Sequence, residues 1–310
     1  MSLPQSAIQT FVLFLLMSAG FGAGKLGILD EPTVKKLSKF IVNFVLPCLI
    51  VMSMQKPLSP ELRTQAFLVL GLSFAVYAVA FPLAFLLTRL LRLEGLKAGV
   101  HAFSLVFANV AFMGFPVLQG IFGKGILFEA SIATMPFQLL AFSVGAAMVS
   151  GEAGGKAKAF SPASFVTPAG LASIIGLALF LLGVTIPSTP ALAMTMLGDV
   201  TTPLSMCVIG ATLAETDLAG ALRDWRLWFT SAWRLLVFPL LLWLGLRALG
   251  VGGTALGLLV IMFAMPVAAN STMLAAAGGG DHRTASALVF VSTAASLLTI
   301  PVLAGLLFGV

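Results

Sequence analysis

The feature that most constrains this chain is a succession of apolar segments, each about as long as a membrane is thick. A helix needs roughly 20 mostly apolar residues to cross the hydrocarbon core of a bilayer. Ten such helices with short connections account for the 310 residues. The predicted spans are 5–24, 34–54, 65–90, 98–122, 127–150, 166–186, 192–214, 227–249, 254–277 and 284–308. The sequence therefore predicts an all-α protein with ten transmembrane helices.

The composition excludes a water-soluble surface. Only 9% of the residues are charged, the mean hydropathy is +1.09, and 59% of the residues are hydrophobic. A soluble domain has about 25% charged residues, so lipids must cover most of this protein. The net charge of +6 does not indicate a nucleic-acid partner, because the basic residues stand singly between apolar runs. Cys48 and Cys207 lie in apolar runs and have no metal-ligand spacing, so neither a metal nor a cofactor is expected.

The basic residues also predict the orientation of the chain. The loops after the odd spans hold twelve of the seventeen: Lys25, Lys35, Lys36, Lys39, Arg89, Arg92, Lys97, Lys156, Lys158, Arg223, Arg226 and Arg283. The loops after the even spans hold four: Lys56, Arg63, Lys124 and Arg247. Loops rich in Lys and Arg stay in the cytoplasm. Both termini are thus expected on the periplasmic side, with the linker Gly151–Ser164 in the cytoplasm.

The N-terminus has no basic residue before its first apolar stretch, so span 1 is expected to be retained and not cleaved as a signal peptide.

An internal repeat divides the chain into two halves. The matching landmarks, at offsets of 156, 157 and 156, are Pro47 with Pro203, Pro82 with Pro239, and Phe107-Ala108 with Phe263-Ala264. The predicted repeats are residues 1–155 and 156–310, with five spans each. Because five is odd, the second repeat must enter the membrane from the opposite side. This inverted arrangement is typical of secondary transporters.

Spans 4 and 9 carry the strongest signal for a binding site. Inverted-repeat transporters bind substrate near the midplane, where helices are interrupted at equivalent positions of the two halves. Proline inside a helix removes a backbone hydrogen bond and clashes with the preceding turn. The resulting half-helix N-termini favour an anion. The candidate substrate-binding residues of these spans are Asn109, Gly114, Pro116, Pro266, Asn270 and Ser271.

Three further residues extend this prediction. The chain has only three asparagines, all within predicted spans, and the third, Asn43, is also a candidate substrate ligand. The offset of 156 places Asn43 opposite Asp199, an ionisable residue within span 7 and a candidate for ion or proton coupling. Gln138 follows Pro136 in span 5 and is a candidate cavity-lining residue.

Structural roles for these residues stay open at this point. A proline in a span can be only a kink, and an intramembrane asparagine can serve to join helices. Asp199 can lie at the interface or in an ion pair. Arg234, inside span 8, can extend to the headgroups or contact an anionic substrate. His101 is expected to be structural.

The stretches FANVAFMGFPVLQGIFG, GDVTTPLSMCVIGATLA and MPVAANSTMLAAAGG resemble the auxin efflux carrier family. The similarity is greatest to the bacterial members described as malonate or malate permeases, and it runs over essentially the whole chain. This family belongs with bile-acid/sodium symporters and sodium/proton antiporters of similar fold. The linker here is about fifteen residues long, whereas plant members have a long loop, and the stretch 71–87 lacks the charged pair of the plant carriers.

The resemblance implies an elevator-type secondary carrier of a small organic anion, such as malonate, malate or an auxin-like carboxylate. Spans 1, 2, 6 and 7 would form the scaffold, and spans 3–5 and 8–10 the moving transport domain. It implies a homodimer among lipids of the bacterial inner membrane, with coupling to protons or sodium left open. The alternative is a sodium/proton antiporter or a bile-acid-like sodium symporter. An enzyme is not expected, since the chain has neither HExxH nor GxSxG.

Overall fold

A computed structural model describes residues 3–150, 167–215 and 223–309, without the side chains of residues 3–10, 215, 276 and 277. Every regular element within these residues is a helix, which confirms the all-α class. The predicted linker, its two lysines and the predicted boundary between the repeats lie outside the described residues.

The helices are numbered in chain order. The first half of the chain contains α1 (Leu3–Lys25), α2 (Glu31–Phe40), α3 (Leu46–Ser53), α4 (Pro60–Leu90), α5 (Gly95–Val106), α6 (Phe115–Phe122), α7 (Leu127–Ala133), α8 (Met135–Leu140) and α9 (Ala146–Val149). The second half contains α10 (Pro168–Leu182), α11 (Ser188–Asp199), α12 (Thr201–Glu215), α13 (Trp225–Ala232), α14 (Phe238–Ala248), α15 (Gly253–Phe263), α16 (Asn270–Ala277) and α17 (His282–Phe308).

The described chain has six continuous helical segments that are long and apolar enough to cross a membrane. They are Glu31–Ser53, Pro60–Leu90, Lys124–Val149, Ser188–Ala214, Trp225–Ala248 and His282–Phe308. Four shorter apolar helices accompany them: Phe11–Lys25, Val110–Phe122, Pro168–Leu182 and Gly253–Phe263. The lengths and hydropathies of these helices are those of a membrane protein.

Wide π-helical turns precede three of the intrahelical prolines. The turns Ile41–Val45, Val110–Gly114 and Trp233–Val237 come just before Pro47, Pro116 and Pro239, respectively. Proline lacks an N–H and collides with the carbonyl one turn earlier. A π turn contains one more residue than an α turn and so relieves this conflict. The extra residue also rotates the side chains within the turn.

Helices of the two halves pack closely against each other. Helix α1 runs along α12, and α3 packs against α10 and α11. Between α1 and α12, a Cβ atom on Gly20 would overlap the carbonyl oxygen of Cys207, and one on Gly210 would overlap that of Met17. Small residues of this kind let helix backbones approach each other in a membrane.

Candidate functional site

The candidate site lies where the two interrupted helical segments cross. Helix α5 ends at Val106 and continues in extended conformation. Helix α15 ends at Phe263 and passes through a turn at Ala264 before its extended segment begins. Two hydrogen bonds join the extended segments: Asn109 N–H donates to Pro266 O at 2.8 Å, and Ala268 N–H donates to Phe107 O at 3.1 Å. These bonds satisfy backbone groups that the helix breaks leave free, as burial away from water requires.

The two prolines of the predicted site occupy different positions relative to the breaks. Pro266 lies in the extended segment itself, next to the residue that pairs with Ala108. Pro116 is the second residue of α6, beyond the π turn that follows the break. Gly114 ends that turn and is buried, and a Cβ atom added there would lie 3.9 Å from Cγ of Met265.

Two half-helices begin at the crossing, and their N-termini differ. The buried Asn109 caps the first, because its Oδ1 accepts a hydrogen bond from Phe112 N–H at 3.3 Å. Asn270 is the first residue of α16 and is half-buried. Neither its Oδ1 nor Oγ of the buried Ser271 has a hydrogen-bond partner among the described residues. The second N-terminus therefore offers polar groups that are free to bind a ligand.

Arg234 brings a positive charge to this crossing. Its side chain is fully buried, with 0% exposed, and it extends from the π turn before α14. Nη1 donates to the carbonyl oxygens of Leu105 and Val106 at 3.1 and 3.2 Å, and Nε donates to Met265 O at 3.2 Å. Arg234 thus caps the end of α5 and holds the extended segment of the other half. Nη2 has no partner within the described chain, and the side chain does not extend to the headgroups.

Aromatic rings form one wall beside Arg234. The guanidinium carbon lies 5.8 Å from the ring centroid of Phe263. The ring of Tyr77 packs edge-on against Phe263 at 5.1 Å and lies tilted against Phe107 at 5.9 Å. The Tyr77 hydroxyl is buried and has no partner among the described residues. Sequence reasoning missed Tyr77, although it is the single tyrosine of the chain and stands in an apolar run.

Three predicted site residues lie apart from this group. Gln138 is buried, and its Oε1 accepts a hydrogen bond from Thr167 Oγ1 at 3.3 Å. Asn43 lies exposed in the first π turn. Asp199 ends α11, and its half-exposed carboxylate accepts a hydrogen bond from Lys124 at 2.8 Å.

The comparison with known families covers nearly the whole chain. A family model described as membrane transport protein matches residues 6–154 and 157–304. An uncharacterized transporter of Methanothermobacter thermautotrophicus is 27% identical over 302 residues, which is 96% of each chain. The uncharacterized transporter MJ1031 of Methanocaldococcus jannaschii is 23% identical over 295 residues, which is 93% of this chain and 94% of that protein.

Proposed function

Because the chain belongs to the membrane transport protein family, that of the auxin efflux carriers, and is thus an integral membrane transporter, we propose that it carries small organic anions. The observation that carries this proposal is the buried charge of Arg234 at the crossing, which no carboxylate of the described residues compensates. No acidic side chain hydrogen-bonds to it among the described residues, and one of its nitrogens is free. A buried cation without a counter-charge costs several kcal/mol, which a ligand carboxylate would offset.

The polar groups at the crossing suit a carboxylate substrate. Arg234 supplies a charged donor, and the N-terminus of α16 adds backbone dipole and the side chains of Asn270 and Ser271. Asn109, Gly114, Pro116 and Pro266 shape the other side of the site. Malonate, malate and an auxin-like carboxylate all carry the group that these donors would bind. Gln138 would act from a neighbouring helix, next to Phe137, whose ring packs against Phe107.

The crossing is a poor site for the alternative sodium/proton antiporter. That chemistry uses buried carboxylates, which compensate the charge of the transported cation. The backbone carbonyls near the break are already engaged by Arg234, and a second cation beside it would be repelled. The electrostatics favour an anion as the transported species.

Alternating access would follow from the arrangement of the two halves. We place ten spans in two inverted repeats, with both termini outside, and with spans 1, 2, 6 and 7 as the scaffold. Spans 3–5 and 8–10 would carry the crossing across the membrane as an elevator. The extensive packing of α1 on α12 and of α3 on α10 and α11 supports a scaffold made from both halves. A homodimer of scaffolds in the bacterial inner membrane completes this proposal.

Uptake of labelled malonate, malate and indole-3-acetate into proteoliposomes tests this function, with pH, sodium and voltage gradients imposed separately. We expect saturable uptake of at least one acid. The proposal fails if no acid is bound or taken up under any gradient. Uptake that rises linearly with concentration would indicate a channel instead.

The site assignment has its own test. Asn270→Ala and Asn109→Ala are expected to weaken substrate binding about tenfold each, since each removes a hydrogen bond to a charged ligand or the cap that positions one. Asn43→Ala is the matched comparison, because this asparagine is exposed in the first π turn. Normal binding isotherms for both site variants would disprove the assignment.

A further inference from the structure

Glu129 is a buried carboxylate outside the crossing. It lies in the first turn of α7 with 6% of its surface exposed, and it is the one buried acidic side chain in the described chain. Oε1 accepts a hydrogen bond from Gln65 Nε2 at 3.1 Å, whereas Oε2 has no partner among the described residues. An ionised carboxylate is unfavourable where an oxygen lacks both water and a donor. The protonated group avoids this penalty.

Lys56 does not form an ion pair with Glu129. Lys56 lies in the connection between α3 and α4, and its Nζ donates to Gly125 O at 3.1 Å. The same Nζ lies 4.9 Å from the ring centroid of Phe128. Neither of the two ion pairs in the described chain includes Lys56 or Glu129. The hydrogen bond of Lys56 Nζ therefore goes to the backbone before α7 and not to Glu129.

The other charges around α7 are exposed. Helix α4 contributes Glu61, Arg63 and Arg89, all with exposed side chains, and Lys124 precedes α7 and pairs with Asp199. The sequences of α3, α6, α8, α10 and α15, which also pack on α7, contain no charged residue. The dipole of the first turn favours the ionised form, but its effect is small beside that of burial.

Helix α7 packs against the end of α3, and this contact includes Ser131, two residues after Glu129. Ser53 Oγ and Ser131 Oγ are 2.8 Å apart and share a hydrogen bond, and Lys56 binds the backbone just before α7. Under the proposed function, α3 belongs to the scaffold and α7 to the moving domain. Movement between them would admit water to Glu129. The two arrangements therefore differ in their affinity for a proton at this carboxyl.

We propose that Glu129 is the proton-binding group that couples anion transport to a proton gradient, an inference that rests on the proposed transport function. The protonated carboxyl favours the buried arrangement seen here, and the ionised carboxylate favours the arrangement in which water reaches it. The proton is bound from one arrangement and released from the other, while the anion occupies the separate site at the crossing.

Infrared spectroscopy tests the proton site without any substrate. We expect the purified protein in lipid vesicles to show the C=O stretch of a protonated carboxylic acid at about pH 7, where exposed carboxyl groups are ionised. Glu129→Gln should lack this band, and Glu61→Gln, which changes an exposed glutamate of α4, should retain it. A band that is absent from the wild type, or that persists in Glu129→Gln, would overturn the proposal.

Transport measurements test the coupling. Glu129→Gln should still exchange labelled for unlabelled acid at equal concentrations, but its accumulation under a pH gradient should fall to the level seen without one. Glu61→Gln should accumulate the acid like the wild type. The proposal is overturned if Glu129→Gln still responds to the pH gradient, or if Asp199→Asn loses the response instead. Should the wild type take up no acid at all, the transport function fails, and the infrared band alone decides the proton site.

Discussion

Arg234 links residue chemistry to the architecture of the crossing. Its guanidinium donates to carbonyl oxygens of both interrupted segments, Val106 from one half and Met265 from the other. The negative ends of helix dipoles favour a cation there. Arginine also presents several donors in one plane, so it can cap two segments and retain a free nitrogen. One side chain thus stabilises the breaks and supplies the charge for an anion.

Replacing Arg234 separates these two roles. Arg234→Gln should weaken anion binding about tenfold to a hundredfold, because a hydrogen bond to a charged group contributes about 1.5–3 kcal/mol. Arg234→Lys keeps the charge but not the planar fork, so it should retain more affinity than Arg234→Gln while losing thermal stability. Binding isotherms of the purified variants measure the substrate affinity, and melting curves measure the thermal stability.

Arg247 offers the control for this comparison. It lies in the last turn of α14, at the other end of span 8. Its side chain is exposed, with the guanidinium 4.9 Å from the ring centroid of Trp243. Arg247→Gln should leave substrate affinity unchanged. Equal affinities of Arg234→Gln and the wild type would show that the buried charge does not bind the substrate.

Asp281 gives a pH-dependent prediction at the start of α17. Burial alone would raise the pKa of its carboxyl. Hydrogen bonds from the backbone N–H and the hydroxyl of Thr284, at 3.0 and 2.7 Å, together with the charges of Lys97 and His282, outweigh burial and lower this pKa. A lowered pKa in the folded state means that the stabilisation is complete above the unfolded value and is lost as the pH falls through the folded one.

Asp281→Ala should therefore lower the free energy of unfolding by about 1 kcal/mol at neutral pH, the usual cost of losing an N-cap. The difference from the wild type should shrink below about pH 3.9, the ordinary value for an aspartate. Asp281→Asn keeps a capping oxygen, so its free energy of unfolding at neutral pH should lie between those of the wild type and Asp281→Ala. A difference that is the same at acidic and neutral pH would contradict this account.

At the scale of helices, the sequence predicted where interruptions occur better than how they form. Pro116 and Pro266 marked the two spans, but only Pro266 lies in a break. Pro116 starts α6, and the break before it leads through Asn109 into a π turn. A proline shows that a normal helix cannot continue, yet whether the chain widens, kinks or unwinds depends on the partners that the rest of the fold supplies.

The same limit applies to the site residues. Asn109 could be predicted as a candidate from the sequence, because an amide side chain within an apolar span needs hydrogen-bond partners. Arg234 and Tyr77 could not be assigned to the crossing from one sequence, since their places depend on a π turn and on packing between α4 and α15. Glu129 lies near the end of an apolar span, where sequence alone does not distinguish a buried carboxylate from an interfacial one.

The contact between α1 and α12 supports a prediction about helix packing. Gly210→Val should reduce the free energy of unfolding by about 1–3 kcal/mol, because the added atoms would overlap the backbone of Met17 and force the helices apart. Gly22→Val is the matched control, since a Cβ atom on Gly22 meets nothing within 4 Å. Thermal melting in detergent compares the two variants. A similar loss of stability in both variants would show that the β-branched side chain, and not the helix contact, causes the effect.

At the scale of the whole molecule, the two halves do not form separate bodies in the described chain. Helix α1 packs on α12, α3 packs on α10 and α11, and the extended segments after α5 and α15 hydrogen-bond to each other. The repeat pattern predicted two halves, but a periodicity does not reveal which faces meet. The proposed division into scaffold and moving domain likewise crosses both halves.

A disulfide across that division tests the proposed movement. Ser53 and Ser131 share a hydrogen bond between α3 and α7, with their oxygens 2.8 Å apart, so cysteines at both positions are close enough to bridge. With Cys48 and Cys207 replaced by alanine, the oxidised Ser53→Cys/Ser131→Cys protein should bind substrate but not transport it. Reduction should restore transport, and each single cysteine variant should be unaffected by oxidant. Full transport by the completely oxidised protein would mean that α3 and α7 move as one body, and the boundary of the moving domain would then have to lie elsewhere.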